Sequence, residues 1–284
     1  MKSQRDPEGY FGGFGLHKTC DEAVDPMLIQ QSFFLKQRID TAIDRIRSFC
    51  PEDGYYGAFS GGKDSQVIYQ LLLMAGVKFD AHFSRTTVDP PEVTRFIRDH
   101  YPDVKFHKPA TTMWKLIVKK RMPPTRRVRY CCEWLKEVHG HGRVVVTGIR
   151  WQESVKRRAR KMVEMCYKDS SKVYVNPIID WTTEEVWDFI ISQELPYCSL
   201  YDEGFKRIGC VMCPMARYKQ RLREAERWPG FFRAYMRAFG KMLEGRERAG
   251  LKTDRWKSAE DVMTWWILER DDHQAAERLF SMFE

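Results

Sequence analysis

A chain of 284 residues with 48 Lys plus Arg against 39 Asp plus Glu carries a formal charge of +9, which excludes an acidic tail or a disordered polyanion. At 43% hydrophobic and 13% aromatic residues it can bury a sizeable core, so intrinsic disorder is excluded as well. No apolar run approaches the ~18 residues that span a bilayer, and the polar start Met1-Lys2-Ser3-Gln4-Arg5-Asp6 is unlike a signal peptide; a cytoplasmic protein with no membrane partner is expected.

Residues 1–26, rich in glycine and polar side chains, read as an irregular arm. From Leu28 the apolar positions Leu35, Ile39, Ile43, Ile46 and Phe49 follow helical spacing and describe an amphipathic helix. Tyr55 to Phe59 reads as a short aromatic strand, followed by the string Ser60-Gly61-Gly62-Lys63-Asp64-Ser65 and a helix carrying Val67, Ile68, Leu71, Leu72 and Met74. Further strands near 77–83, 104–107 and 143–147 alternate with helices after Pro90-Pro91, from Thr112 and from Glu133. That alternation predicts an α/β fold, a doubly wound and mostly parallel sheet with helices on both faces. Thr182 is expected to cap a further helix, with Glu185 closing a capping box. Strand signals stop after Pro214, so residues 27–213 read as the α/β domain and 214–284 as a helical C-terminal region.

Gly57, Gly62 and Lys63 stand at the spacing of a Walker A loop, but Asp64 occupies the place of the magnesium-binding hydroxyl, which weakens a kinase or GTPase reading. A glycine loop between a strand and a helix still presents backbone N–H groups and a helix N-terminus to an anion. Phosphate is the expected occupant, and a plain capped turn is the alternative.

The eight cysteines are unevenly spread: Cys131-Cys132 are adjacent and Cys210 and Cys213 form a C-x-x-C. In a reducing compartment grouped thiols point to metal. Four thiolates suit tetrahedral zinc or an iron-sulfur cluster, and adjacent cysteines, which point apart, sit more easily around a 4Fe-4S cube than around one small ion.

The string at 60–65 matches without a mismatch the S-G-G-x-D-S signature of the PP-loop ATP pyrophosphatase superfamily, which the chain resembles. The resemblance implies an adenine nucleotide α-hydrolase-like fold in which Ser60, Gly61, Gly62 and Ser65 hold the pyrophosphate end of ATP and Asp64 acts through Mg2+. Enzymes of this group break ATP between the α and β phosphates and adenylate an oxygen. Over residues 55–215 the chain also resembles the phosphoadenylyl-sulfate (PAPS) reductase family, on Cys131-Cys132 and Cys210-x-x-Cys213, on Thr147-Gly148-Ile149-Arg150, on Asn176-Pro177-Ile178-Ile179-Asp180-Trp181 and on Leu200-Tyr201-Asp202-Glu203-Gly204. That resemblance implies a 4Fe-4S cluster on Cys131, Cys132, Cys210 and Cys213, and nucleotide contacts at Gly148 and Arg150. Thr86, at the end of the second predicted strand, is expected at the adenosine.

Sulfonucleotide reductases carry a catalytic cysteine in a mobile C-terminal segment, whereas no cysteine follows Cys213 in these 284 residues. The chain is in this respect more similar to the sulfur-incorporating proteins of DNA phosphorothioation systems, with the transfer-RNA thiolases behind them. Three basic runs lie beside the motifs: Lys115, Lys119, Lys120, Arg121, Arg126, Arg127 and Arg129; Lys156, Arg157, Arg158, Arg160 and Lys161; and Arg217, Lys219, Arg221, Arg223 and Arg227. Solvated helix surface is the bland reading; together the three favour a polyanion.

The expected function is therefore an ATP-dependent sulfurtransferase that adenylates nucleic acid, DNA before RNA, with Lys63, Arg157 and Arg158 neutralising charge and a sulfur donor such as a cysteine desulfurase. The rivals are a sulfonucleotide reductase using Cys166, Cys198 or a partner's thiol, and a metal-stapled nucleic-acid-binding module without catalysis. His139-x-His141 reads as a turn, and Trp114, Trp134, Trp151 and Trp187 as core or interface.

Overall fold

The computed structural model describes residues 26–252, 255–268 and 280–281. Of the expected N-terminal arm, only Pro26 falls within them, as the first residue of α1 (Pro26–Ser48). In chain order there follow β1 (Tyr55–Ala58), α2 (Lys63–Ala75), β2 (Phe79–Ser84), α3 (Pro91–His100), β3 (Lys105–His107), α4 (Met113–Lys120), α5 (Tyr130–Leu135), β4 (Val144–Val146), α6 (Val155–Arg158), β5 (Val163–Cys166), β6 (Asp169–Val175), α7 (Thr183–Ser192), α8 (Tyr218–Arg227), α9 (Pro229–Glu247) and α10 (Ala259–Leu268). No described helix is long and apolar enough to cross a membrane.

The six strands are ordered β3-β2-β1-β4-β6-β5, all parallel except the β5–β6 hairpin at one edge. β1 pairs with β2 on one side and with β4 on the other, so the strand order reverses at β1. The carboxyl ends of β1 and β4 flank that switch point, where a doubly wound sheet opens its ligand crevice. The doubly wound α/β fold expected from the sequence is the fold observed.

Packing follows the strand alternation. Tyr55, Val146 and Val175 are buried against α1, α2 and α7, in a core that includes Ile46, Leu71, Val186 and Phe189. Ala81 and Phe83 extend the apolar region towards Val93, Phe96 and Ile97 of α3. The intervening residues of β2 are polar instead: His82 donates from one ring nitrogen to Asp80 at 2.6 Å, and its other nitrogen meets His107 at 2.7 Å. The Thr182 cap is realised in full: its hydroxyl accepts from the Glu185 amide at 3.1 Å and Glu185 accepts from the Thr182 amide at 2.7 Å.

The helices after Pro214 do not stand apart, because Phe232, Tyr235, Phe239 and Trp266 belong to the same core as Leu116 and Ile117 of α4. Trp114 packs its ring edge-on to Tyr235, and the Trp266 indole donates to the Pro124 carbonyl at 2.6 Å. The sequence reading assigned no strand to 163–175, yet β5 and β6 lie there. The first half of β6, Asp169-Ser170-Ser171-Lys172, has no apolar alternation to read, and the hairpin is held by pairing to β4.

Candidate active site

The phosphate loop leaves β1 and enters α2 through a network of short polar bonds. The Ser65 hydroxyl donates to the Gly62 carbonyl at 2.8 Å and accepts from the Ser60 amide at 3.2 Å, while the Gln66 side chain donates to the Gly61 carbonyl at 3.1 Å. Gly61 sits at φ +71°, and a Cβ there would come within 2.9 Å of Val93, so only glycine lets the loop pass beneath α3. The Lys63 amide at the first turn of α2 donates to the Tyr201 hydroxyl at 2.9 Å.

Asp64 is the hub of the charged groups. Lys63 reaches one carboxylate oxygen at 3.1 Å, and Arg150 reaches the other at 2.7 Å. Arg150 is 1% exposed, and its guanidinium also donates to the Trp181 carbonyl, Gln152 and Thr183. Its guanidinium thus engages protein groups and positions Asp64. Gly148 lets this happen: a Cβ on it would lie 2.7 Å from the Asp64 carbonyl oxygen. Glu153 accepts from the Arg150 amide at 2.9 Å and pairs with Arg157, whereas Arg158 is exposed at the end of α6.

The second constellation is the thiols. Cys131 and Cys132 lie in the first turn of α5 with their thiols hydrogen-bonded to one another and not splayed apart, and Cys210 and Cys213 are close enough to Cys131 to raise it. Cys132 is held below the ordinary thiol value by its hydrogen bond with Cys131 and, against the cost of burial, by Arg129, whose guanidinium donates to it at 3.1 Å. Cys131 is raised correspondingly by Cys132 and by burial. Burial pushes Cys210 up to about 11. The Lys136 ammonium lies near Cys210, Asp89, Cys213 and Cys132, which raise its pKa, although the residue as a whole is exposed. Among the described residues no three His, Cys, Asp or Glu side chains close around a point as they do about a single metal ion.

The 210–213 loop is pinned from three sides. Val211 donates to the Val88 carbonyl at 2.8 Å, the Tyr235 hydroxyl donates to the Val211 carbonyl at 3.3 Å, and Met212, at φ +57°, donates to Glu224 at 2.6 Å. Thr86 is 1% exposed; its hydroxyl donates to Asp89 at 2.7 Å and accepts from the Cys210 thiol at 3.4 Å. The residue expected at the adenosine therefore fastens the end of β2 to the thiols. Sequence reasoning missed Lys136 and Glu224 and the roles of Arg129 and Tyr201. Lys136 stands four residues after Cys132, one helical turn away, which was the available signal.

The basic runs separate into two kinds. Lys115, Lys119, Lys120, Arg121 and Arg127 are exposed, with the Lys119 ammonium 4.6 Å from the centre of the Trp134 ring, itself 37% exposed. Arg126 is exposed but donates to the Pro214 and Ala216 carbonyls, tying the run to the cysteine loop. In the second run Arg157 and Arg160 pair with Glu153 and Glu164, leaving Lys156, Arg158 and Lys161 exposed. In the third run Arg217, Lys219, Arg223 and Arg227 are exposed and Arg221 is buried. Arg221 is fully buried against Trp266, Arg223 donates to the Glu203 and Gly204 carbonyls, and Arg227 pairs with Glu92 and Glu203. These three arginines bind α8 to its neighbours, Arg221 beneath α10 and the exposed Arg223 and Arg227 to residues 203–204.

The rival nucleophile Cys198 is 1% exposed and burial raises its thiol; Cys166 lies on the edge strand β5.

The family model described as phosphoadenosine phosphosulfate reductase domain matches residues 55–216, from β1 to just beyond the last cysteine. An uncharacterised protein of Methanocaldococcus jannaschii is 30% identical over 89% of this chain and 56% of its own length. An adenosine 5'-phosphosulfate reductase of Staphylococcus haemolyticus is 29% identical over 61% of this chain and 75% of its own. A probable FAD synthase of Schizosaccharomyces pombe is 28% identical over 54% and 58%. The chain spans about half the length of the two Methanocaldococcus relatives it matches, 56% and 52%.

Proposed function

The chain belongs to the phosphoadenosine phosphosulfate reductase domain family, and within it we propose an ATP-dependent sulfurtransferase that releases pyrophosphate, adenylates a nucleic-acid acceptor and opens it to sulfur, with the DNA backbone as target. One observation carries this reading: residues 201–211 tie the phosphate loop to the thiols, with the Tyr201 hydroxyl on the Lys63 amide at one end and Cys210 and Val211 on Thr86 and Val88 at the other. An activated phosphate and a sulfur site would then be neighbours.

In this reading the amides of the 60–65 loop and the N-terminus of α2 receive the β and γ phosphates of ATP. Asp64, oriented by Lys63 and Arg150, faces Mg2+ carried in on the triphosphate. A non-bridging phosphate oxygen of the acceptor attacks the α phosphorus, the bond to the β-phosphate oxygen breaks, and pyrophosphate leaves. Exposed Arg158 and the Glu153-held Arg157 neutralise the crowded charge. Sulfur at the sulfide level, from a donor such as a cysteine desulfurase with a thiol reductant, then displaces AMP, which departs with the former acceptor oxygen.

The donor set fits a 4Fe-4S cluster: four thiols from two segments, three of them partly exposed, with Arg129 and Lys136 to offset the negative charge of a thiolate-ligated cube. When bound, such a cluster on Cys131, Cys132, Cys210 and Cys213 would supply a place for sulfide at an iron from which one of these cysteines has let go.

The test is product analysis with ATP, with and without DNA. AMP and pyrophosphate, increased by DNA, are expected; ADP as the main product refutes the reading. A second reading, reduction of a sulfonucleotide, is favoured by the named reductase among the relatives. Thiol-dependent release of sulfite from adenylyl sulfate or PAPS would establish it instead.

A further inference from the structure

α3 presents two opposite faces. Val93 and Ile97 lie over Gly61 of the phosphate loop, while Thr94, Arg95 and Arg98 line a separate cavity of about 510 Å³ with Arg85, Thr87 and Phe231. One helix thickness, about 10 Å, thus separates this cavity from the phosphate loop. Its volume is that of a small-ligand site.

The charge in it is not spent. Arg98 lies over the Phe106 ring at 5.5 Å, and among the described residues no ion pair engages Arg85 or Arg95. Two carboxylates also line the cavity. Asp89 is already bound by the amide and hydroxyl of Thr86, each at 2.7 Å, and exposed Asp99 is the other. The remaining acid of α3, Glu92, is taken by Arg227 and the Trp228 indole. Three arginines and one carboxylate that Thr86 does not bind therefore line one concavity, a setting that suits a tetrahedral oxyanion able to accept forked hydrogen bonds.

We propose that the Arg85–Arg95–Arg98 cavity is a second phosphate site, holding a phosphodiester of the polynucleotide acceptor while ATP occupies the loop on the far side of α3. This rests on the nucleic-acid reading given above. The cavity opens at the carboxyl end of β2, beside Asp89 and hence beside Cys210 and Lys136, so a strand anchored there passes along the thiol side of the crevice. The site receives phosphate, to which guanidinium forks are matched and which carries no sequence information.

The experiment measures binding of a fluorescein-labelled 20-nucleotide single strand to the full chain by anisotropy across a salt series. The Arg85→Ala/Arg95→Ala variant should bind about tenfold more weakly at low salt, with the slope of log affinity against log salt reduced by about one to two, and with ATP affinity within about twofold of wild type. Unchanged strand affinity, or equal loss of ATP affinity, overturns the proposal. If the wild type binds no nucleic acid at all, the acceptor reading fails and the cavity is tested by itself, by calorimetric titration of inorganic pyrophosphate into protein whose loop is filled with a non-hydrolysable ATP analogue. One further anion per chain, lost in the double variant, retains the phosphate site; no further anion removes it.

Discussion

The Tyr201 hydroxyl accepts a 2.9 Å hydrogen bond from the Lys63 amide, so a residue 138 positions downstream occupies an N–H at the entrance to α2 that a phosphate oxygen could otherwise take. Burial raises the Tyr201 phenol, which therefore remains protonated at neutral pH. Tyr201→Phe leaves that amide without its partner and should lower stability by about 1 kcal/mol in urea unfolding. Saturating ATP should narrow the difference, since bound phosphate takes the freed amide. A difference that ATP leaves unchanged would separate Tyr201 from nucleotide binding.

Arg150 holds Asp64 from a position almost without solvent. Arg150→Met leaves the carboxylate beside Lys63 alone and empties four further hydrogen bonds, so a loss of about 3 kcal/mol is expected, read as a lowered urea midpoint. Arg150→Lys should recover part of the stability, because an ammonium supplies the charge without the fork. Full recovery by lysine would count against the guanidinium geometry.

Iron content tests the thiol constellation. Anaerobically reconstituted protein should carry about four iron per chain and absorb broadly in the visible, and Cys132→Ala or Cys213→Ala should lose the iron while Cys198→Ala retains it. One zinc and no iron per chain would replace the cluster with a structural ion. In the iron-free protein iodoacetamide should reach Cys132 first, since its lowered pKa favours thiolate, and buried Cys198 last.

Asp80 supplies a pH test remote from the site. Although burial opposes it, hydrogen bonds from Arg143 and His82 hold Asp80 down at about 2. A folded-state pKa below the ordinary carboxylate value stabilises the protein above about pH 4 and loses that contribution as pH falls towards 2. Asp80→Asn should therefore cost about 1–2 kcal/mol at pH 6, discounted for partial exposure, and progressively less towards pH 3. A difference that is constant over this range would show that the charge is not what matters.

The sequence by itself determined most of the elements and their order. Hydrophobic spacing placed α1 and α2, the Pro90-Pro91 pair placed the start of α3, and Thr182 with Glu185 marked α7, because caps, turns and periodicity act between residues a few positions apart. It also determined the chemistry on offer: a glycine loop ending in Asp64, and two pairs of thiols. Tertiary structure decided what those groups do. The β5–β6 hairpin exists through its pairing to β4, which no local pattern encodes. Arg221 left the basic surface because it is buried against Trp266 of α10, while Arg227 stays exposed but pairs with Glu92 and Glu203, and a charge run is indistinguishable in sequence whether its partners are solvent or protein. Thr86 turned to Cys210 and Tyr201 to Lys63 across 124 and 138 residues, since such bonds depend on where the sheet delivers the chain and not on the residues beside it.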